Sequence, residues 1–283
     1  MRFLLYLIDL ISWREEKMLR LASEKDRKEV LDYCLGEPNI NLFIIGDIEN
    51  FGFDKEFQNV WIQYDEEIIR GIVLRYHTNF IVYSRNLDMN FKEIAELLVE
   101  KDAKVVSGKL SVINKIYELI ENSYNKREMF FCELRDESKL EEVKEENIVI
   151  ATSSDSMEIA KAYEKIEEFK GMYSDDLNER YNQINNRILS KEGIHIFIKE
   201  DNEIIAHGNT TATTSVNAMI GGVFTVQNHR NKGLASKIVS YLAKRLINED
   251  KSACLFFDNE EAGRIYHRLG FENIDKWCML MKK

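Results

Sequence analysis

Residues Val223–Leu246 read VFTVQNHRNKGLASKIVSYLAKRL. A β-type run, Val223, Phe224 and Thr225, ends in a polar turn from Gln227 to Lys232. The turn opens an amphipathic helix in which Leu234, Ile238, Leu242 and Leu246 recur every fourth residue as a buried stripe. Arg230, Lys232, Lys237, Lys244 and Arg245 decorate the segment, and no acid appears before Glu249. The first turn of a helix leaves backbone N–H groups without partners and carries the positive end of the dipole. Gly233 and Ala235 leave little side-chain bulk where an anion must approach the backbone. The segment is therefore expected to bind a diphosphate. The competing reading of its charges, a solvated helix face, is less favoured because the run starts at a helix N-terminus.

The string Arg230-Asn231-Lys232-Gly233-Leu234-Ala235 is neither the three-glycine dinucleotide signature nor a P-loop. It resembles the acetyl-coenzyme A loop of the GNAT N-acetyltransferase superfamily, Q/R-x-x-G-x-G/A after a strand, with Arg230, Gly233 and Ala235 in the defined positions. Downstream, ACLFFDNEEAGRIYHRLGF gives a short apolar strand, a polar turn at Asp258 and Asn259, and a helix ending at Leu269-Gly270-Phe271. Here Asn259, Ala262, Tyr266, Gly270 and Phe271 match the family in order and spacing. The resemblance covers roughly the last 135 residues, the usual size of one compact domain.

The resemblance implies transfer of an acetyl group from the thioester of acetyl-CoA to an amine of a small molecule or peptide. Val223, Phe224 and Thr225 would pair their backbone with the peptide-like pantetheine arm. The N–H groups of Asn231, Lys232, Gly233, Leu234, Ala235 and Ser236 would take the pyrophosphate, and Arg230 or Lys232 would neutralise it or the 3′-phosphate. Asn259 would hydrogen-bond the pantetheine, and Tyr266 would be the general acid for the departing thiolate. The plain alternative for Tyr266 is packing on the helix face it shares with Ala262 and Leu269. No base is assigned, because Asn217–Gln227 contains no carboxylate. Glu164, Glu167, Glu168, Asp258 and His207 are candidates, and for each a surface or core role is favoured. No metal is expected. A non-catalytic CoA-binding module is the alternative function.

The chain has 283 residues, a formal net charge of -10, 45% hydrophobic and 31% charged residues. That length suggests two domains, and that charge argues against a nucleic-acid or anionic-membrane partner. Cys34, Cys132, Cys254 and Cys278 lie far apart in mostly apolar runs and read as buried small hydrophobes in a reducing compartment, so a cytoplasmic protein is expected. Residues 1–17 read as an N-terminal extension, too short and too interrupted by Asp9 to span a bilayer.

The expected fold is α+β, of the α/β-type GNAT kind, in two tandem domains. Each would be a mixed, mostly antiparallel central sheet flanked by helices. The first spans 18–135, a charged linker 136–147, and the second 148–283. In the first half a strand–helix order resembling GNAT recurs, but NFIVYSRNLDMNFKEIAELL passes into its helix with no Arg-x-x-Gly-x-Ala equivalent. That half reads as a degenerate copy without a cofactor loop, serving as lid, substrate wall or homodimer surface. In the second, Tyr163, Glu164, Glu168, Tyr173 and Asp176 would line an acidic, aromatic acceptor pocket, against the plainer reading of helix surface.

Overall fold

The computed structural model describes residues 19–53, 55–144, 146, 148–169 and 173–283. The expected extension, residues 1–17, lies outside them. The chain begins with strand β1 (Leu19–Leu21), helices α1 (Arg27–Cys34) and α2 (Leu42–Phe51), and strands β2 (Gln58–Asp65), β3 (Ile68–Tyr76) and β4 (Asn79–Tyr83). Helix α3 (Phe91–Glu100), strand β5 (Val105–Lys109), helix α4 (Leu110–Ile120) and strand β6 (Tyr124–Leu134) follow. The same order then repeats as β7 (Val149–Ile150), α5 (Ser156–Glu164), α6 (Leu177–Ser190), β8 (His195–Glu200), β9 (Glu203–Thr211), β10 (Asn217–Thr225), α7 (Leu234–Asn248), β11 (Ser252–Phe257), α8 (Glu260–Arg268) and β12 (Phe271–Lys282). Local chemistry sets the connections. Asp201 and Asn202, both at positive φ, close the tight β8–β9 hairpin, a conformation short polar side chains tolerate best.

The chain forms two compact units. The first comprises the described residues up to Glu128 together with Trp277–Lys283, and the second Met129–Lys276. In the first unit the strand order is β1-β2-β3-β4-β5-β12. Its pairs are antiparallel except β4 with β5, which run parallel from Asn79↔Val105 to Val82↔Gly108. Helices α3 and α4 bury Ile94, Leu98, Val112, Ile113 and Ile116 against Val73, Phe80, Val82 and Val106. In the second unit the order is β6-β11-β10-β9-β8-β7, again antiparallel except for β10 with β11. One hydrophobic cluster joins Ile196, Ala206, Ile220 and Leu255 to Ile238, Leu242 and Leu246 of α7. A second cluster joins Phe197, Ile204 and Phe224 to Ile159, Tyr163 and Ile184 of α5 and α6. In each unit the strands form mixed, mostly antiparallel sheet flanked by helices, the expected α+β architecture.

The division differs from the expected 18–135 and 148–283 in its closing strands. Phe130–Glu133 of β6 pair with Phe257–Cys254 of β11 and belong to the second unit. Trp277–Met281 of β12 pair with Lys109–Val105 of β5 and belong to the first. Each unit therefore closes its sheet with a strand from beyond the stretch of chain expected for it. The start of the expected linker, Asp136–Glu141, is also structured within the second unit. Asp136 caps a 3₁₀ turn at Glu137–Lys139, Leu140 packs against the α7 cluster, and the Glu141 N–H donates to Ser240 Oγ at 3.0 Å. Helix α5 stops at Glu164, Ile166 turns into the core at 3% exposure, and a 3₁₀ turn covers Glu167–Phe169. Cys34, Cys132, Cys254 and Cys278 are all buried and unpaired. Among the described residues no helix is long and apolar enough to cross a membrane.

Candidate active site

Strands β10 and β11 keep their parallel register from Asn217↔Ser252 to Ile220↔Leu255 and no further. The reason is a bulge in β10. Gly221 pairs with Asn209 and Phe224 with His207, so Gly222 and Val223 stand opposite the single residue Gly208. Gly222 takes φ +56, and a Cβ there would meet the Tyr163 hydroxyl at 2.5 Å and Asn209 Oδ1 at 2.8 Å. Only glycine fits both the backbone conformation and the space. Beyond the bulge Phe224 and Thr225 pair with β9 on one side, and Val223, Phe224 and Thr225 have all left β11 on the other. A strand edge opened in this way can hold an extended amide chain.

A short turn leads from β10 to α7. Asn231 and Gly233 both have positive φ, and Gly233 is the N-cap, with no side chain capping the helix. The first intrahelical bond runs from the Lys237 N–H to the Gly233 carbonyl at 3.1 Å, so the N–H groups of Leu234, Ala235 and Ser236 have no carbonyl within the helix. Nothing lies within 4 Å of where a Gly233 Cβ would stand, and the first turn carries no acid. Asn231, Lys232 and Gly233 are exposed. This first turn meets the steric and electrostatic demands of a diphosphate. Sequence reasoning missed one further cation. Arg268 of α8 donates from Nη2 to Ser236 Oγ at 2.8 Å, placing a guanidinium beside the first turn of α7.

The first unit has the corresponding helix, α3, after its own β4, and there the start is closed. Asn90 Oδ1 accepts the Glu93 N–H, and Glu93 puts a carboxylate in the first turn. A self-capped, acid-bearing helix start repels the anion that an open start attracts.

Behind the bulge lies a buried polar row. His207 is fully buried, its Nδ1 stands 2.8 Å from the Gly222 carbonyl and its Nε2 3.1 Å from His195 Nδ1. A carbonyl only accepts, so His207 carries its proton on Nδ1, and Nε2 must then accept from the Nδ1–H of His195. The row ends at His195 Nε2, a buried atom with no partner among the described residues. Burial pushes His207 down to about 4 and His195 further, so both rings are neutral near pH 7. The His207 ring stacks on Phe224 at 5.3 Å and meets Tyr163 edge-on at 5.3 Å. Tyr163, Phe169 and Tyr173 pack mutually at 4.8–5.1 Å. Asp176 is occupied as the cap of α6.

On the β11 side Tyr266 is 8% exposed, with its ring 5.9 Å from Phe257 and 6.2 Å from Phe271. Phe257 lies two residues past the last β10–β11 pair. Burial pushes the Tyr266 phenol up to about 12, so it keeps its proton near neutral pH. Asn259 is exposed and caps α8, its Oδ1 accepting the Glu261 N–H at 2.8 Å, which leaves the amide N–H groups to donate. Arg230 does not stand free as expected. It donates from Nε to the Thr225 carbonyl at 3.2 Å and forks onto Glu168 at 2.9 and 3.1 Å. Among the candidate bases, Glu168 is committed to Arg230 and Glu164 to Arg180 at 2.6 Å. His207 has both ring nitrogens engaged and is held neutral near pH 7 by burial, while Glu167 and Asp258 are exposed. No group of three or more His, Cys, Asp or Glu among the described residues could hold a metal ion.

The bulged strand β10 thus leaves its parallel neighbour β11 and feeds the uncapped start of α7. The family model for GNAT acetyltransferase matches residues 52–280, and the chain belongs to that family. Similar solved structures share the fold at low identity. A Drosophila protein aligns with TM-score 0.67 and 12% identity, covering 93% of this chain and 98% of its own. A GNAT-family acetyltransferase from Colwellia psychrerythraea aligns at 0.55 and 14%, covering 94% and 99%. A tandem GNAT protein from the clavulanic acid biosynthesis pathway aligns at 0.58 and 11%, covering 93% and 97%. No curated protein matches the chain in sequence.

Proposed function

We propose that the second unit transfers an acetyl group from acetyl-CoA directly to an amine of a small molecule or peptide. The observation that carries this reading is the parting of β10 and β11 after Ile220↔Leu255, with the open start of α7 beyond the free edge of β10. Val223–Thr225 offer backbone groups to the pantetheine arm, and Asn259 offers its amide N–H groups. The N–H groups of Gly233–Ser236 take the diphosphate, with Lys232 and Arg268 nearby. The amine nitrogen attacks the thioester carbonyl, the C–S bond breaks, and Tyr266 supplies the proton that leaves with the thiol. The amine proton passes to water, since Glu164, Glu168 and His207 are held by other partners.

Those same commitments are the observation that favours the second reading, a non-catalytic CoA-binding module. The first unit we read as a copy of the fold without a cofactor loop, its α3 start closed by Asn90 and Glu93. Four buried free cysteines fit a cytoplasmic setting, and a homodimer is compatible with either reading. Thiol release from acetyl-CoA across a panel of small amines and peptides separates the two. Amine-dependent release supports the transferase, and CoA binding with only background release supports the module.

A further inference from the structure

We propose that Glu168 is a positioning residue that holds Arg230 in the free protein and yields it to the diphosphate of the acyl donor. Donor binding is thereby coupled to the aromatic cluster beside the β10 bulge. This rests on the reading of Val223–Ser236 as the donor site. Three donors of the Arg230 guanidinium are engaged, Nε by the Thr225 carbonyl and the two Nη atoms by the carboxylate of Glu168. A diphosphate presents the same forked acceptor geometry with more charge. The Arg230 and Glu168 side chains are 32% and 45% exposed, and a pair so open to water is worth only a small factor in an equilibrium, roughly two- to fivefold. Arg230 stands three residues before the N-cap Gly233, so the cation lies next to the helix start that would receive the anion.

Glu168 sits in a single 3₁₀ turn, Glu167–Phe169, rather than in a long helix. Its neighbour Phe169 packs 5.1 Å from Tyr163, 5.1 Å from Tyr173 and 5.8 Å from Phe224. Phe224 belongs to the bulged strand that would hold the pantetheine. Release of Glu168 therefore loosens a ring that touches both the donor strand and α5.

The test is calorimetric titration of CoA into the wild type, Glu168→Gln, Arg230→Gln and the double variant, with thermal unfolding of each as a check of fold. Glu168→Gln is expected to bind CoA about two- to fivefold more tightly, the scale of the lost competitor. Arg230→Gln is expected to bind more weakly, and Glu168→Gln is expected to add nothing in the Arg230→Gln background. Unchanged or weaker binding by Glu168→Gln, or an equal gain in the absence of Arg230, overturns the coupling alone. A folded wild type that binds no CoA overturns the donor site and the coupling together.

Discussion

The Nδ1–H of His207 donates to the carbonyl oxygen of Gly222 at 2.8 Å, so a fully buried imidazole on β9 holds the bulge of β10 in place. Phenylalanine in place of His207 keeps a flat ring against Phe224 and Tyr163 but leaves that carbonyl without its donor. His207→Phe is expected to destabilise the protein by about 1–3 kcal/mol, the cost of an unsatisfied buried polar group. The midpoint of denaturant unfolding measures it, and an unchanged midpoint would show that the bond does not anchor the bulge.

The same imidazole makes stability depend on pH. Its folded value is lowered from 6.5 to about 4 by burial, so between those values the unfolded chain binds the extra proton. The contribution is complete above pH 6.5 and is lost as pH falls toward 4, amounting to about 3 kcal/mol for this group. His195 acts in the same direction. Unfolding free energies from pH 7.5 to 4.5 should decline in the wild type and decline less in His207→Phe.

Tyr266→Phe is expected to lower turnover by about 10²–10³ while acetyl-CoA affinity stays near that of the wild type, the scale of a lost proton-transfer group. Because the phenol is pushed up to about 12, its own ionisation should add no falling limb to the rate between pH 7 and 10. Steady-state kinetics with a working amine decide the matter, and full activity of the variant would remove Tyr266 from the chemistry.

Asn90→Ala removes the side-chain cap of α3 and is expected to cost about 1 kcal/mol of stability with no change in CoA affinity. Chemical denaturation and titration of the same sample test both halves. An affinity change would mean that the first unit also takes part in donor binding.

The exchange of closing strands sets which fragments fold. Residues 129–276 contain every strand of the second sheet and are expected to unfold cooperatively on their own. Residues 148–283 lack the Phe130–Glu133 strand beside β11 and carry the unpaired Trp277–Met281 segment, and they are expected to show no cooperative transition. Circular dichroism melts of the two fragments distinguish them.

The strand–turn–helix junction at Val223–Ser236 was legible in the sequence because its pattern is local: a strand, a positive-φ glycine and a helix start lie close together in the chain. The order of elements was legible for the same reason. The closing strands were not, because Phe130–Glu133 and Trp277–Met281 are short apolar runs whose local pattern does not say whether β5 or β11 lies beside them. The contacts of Arg268 with Ser236 and of Arg230 with Glu168 span 32 and 62 residues and appear only once helices and turns are packed. The burial of His207 against His195 had no signal in β9, which is buried along nearly its whole length without alternation, and its bond to the Gly222 carbonyl depends on a bulge that spacing does not reveal.

Titration of acetyl-CoA into the wild type and into Gly233→Glu tests the central claim, that the open start of α7 holds the diphosphate of the donor. Gly233 faces open space at φ +76, so glutamate there adds charge and backbone strain at the one point where the anion would sit. Saturable binding by the wild type, weakened at least about tenfold in Gly233→Glu with cooperative unfolding retained, is the expected result. Equal affinity of the two proteins, or no binding by a folded wild type, would contradict it.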